Sequence, residues 1–223
     1  MKVMILAAGR GERLRPLTAS LPKPLVEVAG KALLARHLER LASAGFTRVV
    51  INVSHLGERI MARFGDGARF GLRIAWSVEA EPLETAGGIA QAGELLGPDP
   101  FLLVNADIWC DYDFSGLKDH ALGRRLSHLL LVPSPPHHAA GDFALDGGLV
   151  GNAASPRYTY AGIAVISPRL VAAIGIGTKA QLAPLWRAAA ERGEVTGELY
   201  RGTWSDVGTP DRLAQLEARL NLP

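Results

Sequence analysis

The chain has 223 residues and a mass of 23.7 kDa, the size of one large domain or two small ones. With 48% hydrophobic and 21% charged residues it is neither disordered nor fibrous, and 24 basic against 22 acidic residues argue against a large surface for nucleic acid. No apolar run approaches the roughly 18 residues of a membrane span, and the single cysteine, Cys110, excludes an intramolecular disulfide and favours a reducing, cytoplasmic compartment.

The first hundred residues alternate between strand and helix patterns. A continuous apolar run at 3–8 is typical of a buried parallel strand, and a helix is expected over 31–44 with Leu34, Leu38 and Leu41 on one face. The elements that follow are expected at strand 48–53, helix 57–64, strand 72–78, helix 86–96 and strand 101–104. This alternation predicts βαβ units, and therefore an α/β fold with a mostly parallel sheet and helices on both faces.

The second half has a different character. After a strand at 127–132, prolines and two histidines at 133–138 predict a loop, and Asp146-Gly147-Gly148 predicts a hairpin turn. A strand at 158–166 and helices at 180–192 and 210–220 are expected to follow. Since the sequence has no internal repeat and no linker, we expect a single domain.

The segment after the first strand carries the most informative motif. Gly9 and Gly11 would let backbone N–H groups approach an anion, and Arg13 would add positive charge for phosphate. Leu14 stands where a dinucleotide fingerprint has its third glycine, and no Gly-Lys-Ser/Thr follows as in a Walker loop. A tight turn that binds nothing is the alternative, but Lys23, between two prolines, places a further cation beside the loop.

Together these residues resemble the sugar-1-phosphate nucleotidyltransferases. The pattern Ala-Ala-Gly-x-Gly-x-Arg-Leu-x-Pro-Leu-Thr at 7–18 is followed by Pro-Lys-Pro-Leu at 22–25, by Leu-Glu-Thr-Ala-Gly-Gly at 83–88 and by Asp-Val-Gly-Thr-Pro at 206–210. The resemblance covers essentially the whole chain and is nearest to the enzymes that use UTP and N-acetylmuramate 1-phosphate in peptidoglycan recycling. It implies a Rossmann-like domain with a nucleotide-binding half at about 1–110 and a sugar-binding half at about 111–223. It also implies that no second catalytic domain follows the helix at 210–220.

The same resemblance assigns residues to the nucleotide. The implied nucleotide-binding positions are Ala8, Gly9, Gly11, Glu12, Arg13, Lys23, Glu79, Glu84 and Thr85. Arg13 and Lys23 are the implied catalytic cations, the first holding the leaving pyrophosphate and the second the charge that develops at phosphorus. A carboxylate at Glu79 can accept the N3–H of uracil, which cytosine lacks, although Glu79 and Glu81 could equally form a solvated edge. Glu84 departs from the family pattern, where glycine is usual.

Two carboxylates are the candidate metal ligands. Asp107 follows the apolar strand at 101–104, at the edge of the sheet where open α/β folds bind ligands. Mg²⁺ is commonly held by one or two carboxylates together with substrate phosphates, and the resemblance implies that Asp107 and Asp206 hold it here. Asp111 and Asp113 are rival ligands near Asp107, and a turn residue or helix cap is the alternative for Asp206.

The sugar-phosphate site is the least regular part of the resemblance. The implied sugar-phosphate-binding residues are Asn105, Gly141, Asn152 and Gly162. Relatives carry a Glu-Lys pair before the strand at 158–166, which this chain lacks; Asn152 is a candidate for the glutamate, and Arg157 or Lys179 for the lysine. Gly162 has close packing as an equal alternative.

Several functions and partners remain open at this stage. Within the family, the alternative is another hexose 1-phosphate, mannose or glucose, with GTP, dTTP or UTP. A dinucleotide-binding oxidoreductase and a non-catalytic nucleotide-sugar-sensing subunit are alternatives of other classes. The expected partners are small-molecule substrates, with neither nucleic acid nor membrane, and the chain is expected to be a monomer or a weak homodimer paired through an apolar patch at 213–222. His37 is expected at the surface.

Overall fold

The computed structural model describes residues 1–153 and 155–220. Its strands are β1 Lys2–Leu6, β2 Glu27–Val28, β3 Lys31–Ala32, β4 Arg48–Val53, β5 Arg73–Val78, β6 Phe101–Asn105, β7 Ile108–Cys110, β8 Ser127–Pro133, β9 Phe143–Asp146, β10 Leu149–Gly151, β11 Arg157–Ile166, β12 Val195–Leu199 and β13 Trp204–Asp206. Its helices are α1 Leu33–Ser43, α2 Gly57–Phe64, α3 Glu84–Gln91, α4 Gly93–Leu96, α5 Ser115–Lys118, α6 Ala183–Glu191 and α7 Pro210–Leu220. None of these helices is long and apolar enough to cross a membrane.

The main sheet is mixed rather than mostly parallel. Its order is β5-β4-β1-β6-β11-β8-β12-β10-β9, and the first four strands run parallel, as the alternating pattern predicts. From β11 onward most pairs are antiparallel, the exception being β12 beside β8. For β9 and β10 the reason is local, because the turn at Gly147 and Gly148 joins them directly and only antiparallel strands can be joined by so short a loop.

Helices cover both faces of the sheet, as expected. Successive residues of a strand point to opposite faces, so Ile5 packs in one core cluster and Met4 in another. The first cluster includes Leu38 of α1, and the second includes Ile89 of α3 and Trp186 of α6. The sheet therefore lies between two packed layers.

Some elements differ from the pattern-based expectation. The helix expected at 86–96 begins at Glu84 and is divided into α3 and α4 at Ala92. Strand β12 is not apparent from the sequence because Gly197 interrupts its short apolar pattern; a Cβ there would lie 2.8 Å from the Leu129 carbonyl oxygen, so the glycine permits the pairing with β8. The short pairs β2–β3 and β7–β13 contain too few residues to show a period.

Two surface expectations are corrected by the packing. His37 is buried at 4% exposure, because it lies on the side of α1 that packs against the sheet. Leu213 and Leu216 of α7 pack against Val26 and Val28 of the same chain, so they do not present the apolar patch expected at 213–222. Residues 221–222 of that patch lie outside the described residues.

Candidate active site

The carboxyl ends of the parallel strands open into an elongated cavity of about 860 Å³. In an open α/β sheet, this edge is where ligands bind. The sequence-predicted residues that line it are Ala8, Gly9, Gly11, Glu12, Arg13, Lys23, Glu79, Glu84, Thr85, Asn105 and Asp107. Residues separated by a hundred positions in the chain thus share one surface, although their roles stay predictions.

The glycine loop and Lys23 are packed together. Gly11 has a φ of 66°, in the left-handed region that favours glycine, and its carbonyl accepts a 2.7 Å hydrogen bond from the Thr18 hydroxyl. A Cβ at Gly11 would lie 3.1 Å from Thr18 Cγ2 and 3.2 Å from Lys23 Cβ. A side chain at this position would therefore strain the turn and push Lys23 away from the loop.

Lys23 forms an ion pair with the candidate metal ligand Asp107. Its ammonium donates to Asp107 Oδ2 at 2.5 Å, and the two side chains are 11% and 35% exposed. Pro22 and Pro24 flank Lys23 at the start of a short 3₁₀ turn and restrict its backbone. The lysine is thus held at the cavity floor, with its charge beside the carboxylate.

Asp206 is brought near Asp107 by strand pairing but points elsewhere. β13 pairs with β7 so that Asp206 lies opposite Ile108, and the Val207 N–H donates to the Asp107 carbonyl at 2.8 Å. The Asp206 carboxylate forms an ion pair with Arg212 through Oδ2, and His137 Nε2 lies 3.2 Å from its Oδ1. Within the described residues, Oδ1 is buried and accepts no hydrogen bond of acceptable angle.

The residue set is compatible with a magnesium site that substrate completes. The described residues contain no group of three or more His, Cys, Asp or Glu side chains placed to hold a metal by themselves. Two hard carboxylates, one with a buried oxygen that has no hydrogen-bond partner among the described residues, match the one or two carboxylates with which proteins hold Mg²⁺ alongside phosphates. Asp111 and Asp113 are engaged elsewhere, Asp111 by the Thr203 N–H and Asp113 by Ser115.

At the other end of the cavity, Glu79 is buried at 4% exposure, so the solvated-edge alternative is wrong for this residue. Its Oε1 accepts from Asn52 Nδ2 at 2.7 Å and its Oε2 accepts from the Leu83 N–H at 2.9 Å. Glu84, at a φ of 61°, has the left-handed conformation for which glycine is usual, and Lys179 lies 4.0 Å from its carboxylate. Lys179 therefore lies beside Glu84 in the cavity lining.

The remaining sugar-side candidates are not among the residues that line the cavity. Asn152 donates from Nδ2 to the Arg187 carbonyl at 2.9 Å, which ties it to α6. Gly162, at a φ of 81°, packs against Asn105 and Ile108, because a Cβ there would lie 3.1 Å from Asn105 Cβ. Gly141 is equally close to the backbone of β11. Packing accounts for both glycines, and the sugar-binding roles of all three residues stay predictions.

Sequence reasoning missed three residues that the fold brings to this region. Asn52 lines the cavity near the end of β4, and a polar residue inside the apolar run at 49–53 was the available signal. Arg212 follows Asp206 by six residues and forms an ion pair with it from the first turn of α7. The Tyr160 hydroxyl is buried and has no partner within the described residues; burial, then the charges of Asp107 and Asp142, raises the pKa of Tyr160 above its ordinary value, so it remains a hydrogen-bond donor.

The chain is similar in sequence and in fold to known proteins. The family model described as nucleotidyl transferase matches residues 2–141. The chain is 47% identical to N-acetylmuramate alpha-1-phosphate uridylyltransferase of Neisseria meningitidis serogroup B, over 98% of this chain and 97% of that protein. It is 32% identical to the mannose-1-phosphate guanylyltransferase catalytic subunit beta of Danio rerio, over 94% of this chain and 62% of that protein. The solved structure of HddC from Yersinia pseudotuberculosis superposes with a TM-score of 0.77 at 19% identity, covering 99% of each chain.

Proposed function

The chain belongs to the nucleotidyl transferase family, and we propose that it transfers a uridylyl group from UTP to N-acetyl-α-muramate 1-phosphate with release of pyrophosphate. The observation that best supports nucleotidyl transfer is that Glu79, the glycine loop and Asp107 line the same cavity. The choice of sugar and base rests on the near-full-length relative from Neisseria meningitidis.

In this proposal the first half of the chain, residues 1–110, binds UTP as a Rossmann-like unit. Glu79 accepts the N3–H of uracil, and Glu84 and Thr85 border the base. Ala8, Gly9, Gly11 and Glu12 surround the triphosphate, for which the loop offers backbone N–H groups. Arg13, exposed on the same loop, neutralises the β- and γ-phosphates that leave as pyrophosphate.

Residues 111–223, together with Asn105 of the first half, are proposed to form the sugar site. Asn105 lines the cavity beside Asp107 and would bind the sugar phosphate. Gly141, Asn152 and Gly162 would border the hexose once the substrate is present. The Tyr160 hydroxyl is a suitable donor for this side, since it is buried near the charges of Asp107 and Asp142 and lacks a partner within the described part of the chain.

Asp107 and Asp206 are the proposed ligands of Mg²⁺, which would supply charge neutralisation for the two anionic substrates. A phosphate oxygen of the sugar 1-phosphate attacks the α-phosphorus in line; the new P–O bond forms as the bond to the β-phosphate oxygen breaks, and its electron pair leaves with pyrophosphate. Lys23 stabilises the charge that develops at phosphorus, while Asp107 keeps its ammonium oriented at 2.5 Å. These residues act by position and charge and transfer no proton.

We also propose that the enzyme acts in the cytoplasm, in peptidoglycan recycling, as a monomer or weak homodimer. The proposed substrates are small phosphorylated metabolites. Cys110 is a buried free thiol, as is usual in a reducing compartment.

Guanylyl transfer to mannose 1-phosphate is the second candidate. The relative from Danio rerio is named as a mannose-1-phosphate guanylyltransferase subunit. Guanine, like uracil, has a ring N–H that can donate a hydrogen bond to a carboxylate at Glu79. The first candidate is favoured because identity to the Neisseria meningitidis relative is 47% against 32% for the Danio rerio relative, and because the match covers only 62% of the latter protein.

A pyrophosphate-release matrix tests the proposal. Four nucleoside triphosphates are combined with N-acetylmuramate, glucose, mannose and N-acetylglucosamine 1-phosphates, each with and without Mg²⁺. UTP with N-acetylmuramate 1-phosphate should have the highest kcat/KM and should need the metal. A higher value for GTP with mannose 1-phosphate would select the second candidate. Nucleotide binding without turnover in every combination would indicate a sensing subunit.

A further inference from the structure

Three parallel strands end in one chain of buried hydrogen bonds centred on Asn52. Asn52 Oδ1 accepts from the Ala7 N–H at 2.9 Å, and its Nδ2 donates to Glu79 Oε1 at 2.7 Å. Glu79 Oε2 then accepts from the Leu83 N–H at 2.9 Å. The chain thus links the end of β1, where the glycine loop begins, with the end of β5 and the turn before α3.

The orientation of the Asn52 amide is determined by its partners. The Ala7 N–H can only donate, so the amide oxygen must face it, and the amide nitrogen must then face Glu79. Two N–H donors, from Asn52 and Leu83, therefore point at the two oxygens of Glu79. Glu79 is among the residues that line the cavity, and each of its oxygens keeps a lone pair that can accept a further hydrogen bond.

The space around this pair is provided by a glycine. A Cβ at Gly88 would lie 2.7 Å from Glu79 Oε1 and 2.8 Å from Asn52 Nδ2. Asn52 and Glu79 are 3% and 4% exposed, so neither can move its polar group into water without leaving the other unpaired. The arrangement is therefore a rigid one.

We propose that Asn52 is a positioning residue that sets base specificity: by donating to Glu79 it makes the base-facing edge of the site accept a hydrogen bond and not donate one. The site then selects a base with an N–H at that edge, such as uracil, over one with a bare ring nitrogen, such as cytosine. This inference rests on the proposed function, because it places the base beside Glu79.

A reversal of the hydrogen bond between residues 52 and 79 tests it. In Asn52→Asp, the oxygen that accepts from Ala7 is retained, but the amide donor to Glu79 is replaced by a carboxylate oxygen. Two facing carboxylates share a proton or repel each other, so Glu79 no longer presents a fixed acceptor to the base. UTP should therefore bind at least about tenfold more weakly, with CTP little changed. In Glu79→Gln, the new amide meets two donors and can satisfy only one. In the double variant, the amide at 79 can donate to the carboxylate at 52 and still accept from Leu83. Its second N–H then faces the base, and CTP should bind more tightly than UTP.

The readouts are UTP and CTP dissociation constants by calorimetry with Mg²⁺ and no sugar phosphate, together with Tm. The double variant should recover the Tm lost in each single variant, and it carries the test if Asn52→Asp alone does not fold. Ser127→Ala is the matched control, because it removes a 3.0 Å buried hydrogen bond to the Val165 carbonyl at the opposite end of the sheet. It should lower Tm and leave the UTP to CTP ratio unchanged.

The inference would be overturned if the ratio of the UTP and CTP dissociation constants in Asn52→Asp and in the double variant stayed within about twofold of its value in the unaltered protein. That outcome would leave uridylyl transfer intact. Failure of the unaltered protein to bind UTP would instead remove the proposed function, and the inference with it.

Discussion

The ammonium of Lys23 lies 2.5 Å from Asp107 Oδ2, although the two residues are 84 positions apart in the chain. The contact joins the glycine-loop segment to the segment that follows β6. In the proposed reaction Lys23 stabilises the charge that develops at phosphorus, and Asp107 is a ligand of Mg²⁺. Lys23 is held by packing against Gly11, so its charge is in place before any substrate arrives. Preorganised charge of this kind is usually a major contributor to catalysis.

Lys23→Ala and Asp107→Asn should each lower kcat by about 100-fold or more while the fold survives. Both side chains lie at the cavity, and neither belongs to a hydrophobic core cluster, so Tm should change little. The control is Lys31→Ala, which removes the exposed ion pair with Glu39 at 2.7 Å and should leave kcat unchanged. Pyrophosphate release at a near-normal rate by either cavity variant would contradict the assignment.

The two glycines at 87 and 93 should respond in opposite ways to the same substitution. A Cβ at Gly87 would lie 2.2 Å from the Thr178 carbonyl oxygen, so Gly87→Ala should displace the segment that packs on α3 and lower the free energy of unfolding by about 1–3 kcal/mol. At Gly93 such a Cβ would have no other described residue within 4 Å, apart from its chain neighbours and the adjacent backbone of its own helix, so Gly93→Ala should be neutral or stabilise by up to about 1 kcal/mol. Denaturant titration measures both, and equal effects would refute the packing argument.

The protein should lose stability as the pH falls from 6.5 to 4. Burial lowers the pKa of His37 from 6.5 to about 4, so the unfolded chain binds a proton in this range that the folded chain does not. The loss attributable to His37 is about 3 kcal/mol once the pH is below 4. Burial also lowers the pKa of His128 to about 4, and this acts in the same direction.

His37→Leu should therefore flatten, though not abolish, the fall in Tm across that range. His55→Asn changes an exposed histidine and should leave the slope as it is in the unaltered protein. An unchanged slope in His37→Leu would mean that His37 does not titrate as its burial implies.

Arg212 should compete with the metal for Asp206. Its guanidinium is paired with Asp206 Oδ2, so the proposed Mg²⁺ must displace it or share the carboxylate. Arg212→Gln should therefore raise the affinity of the nucleotide-free protein for Mn²⁺, used as a probe, several-fold in calorimetry. Arg219 also lies on α7, and Arg219→Gln, which removes its 3.2 Å contact with Thr203, is the control. Weaker metal binding in Arg212→Gln would show that Arg212 instead holds Asp206 in its binding position.

The order of elements in the first half was predictable because buried strands and amphipathic helices have distinct periods. The strand at 48–53 and the helix at 57–64 have the expected bounds, and so does the C-terminal helix at 210–220. The turn at Asp146-Gly147-Gly148 predicted the antiparallel pair β9–β10, which the structure contains. The pairing of the other strands in the second half was not predictable, because the residue pattern of a buried strand does not encode which neighbour it pairs with. Gly197 shows the limit: it reads as a break, yet it is the residue that lets β12 pair with β8.

By itself, the sequence determined the family, the glycine loop with its basic residues, and the carboxylates that end their strands, since these features depend on local composition and spacing. Only the tertiary structure decided which of them meet. It paired Lys23 with Asp107, turned Asp206 toward Arg212, and joined Asn52 to Glu79 within a buried network. Such contacts depend on strand order and side-chain direction, which arise when distant segments pack and so cannot be inferred from any single segment.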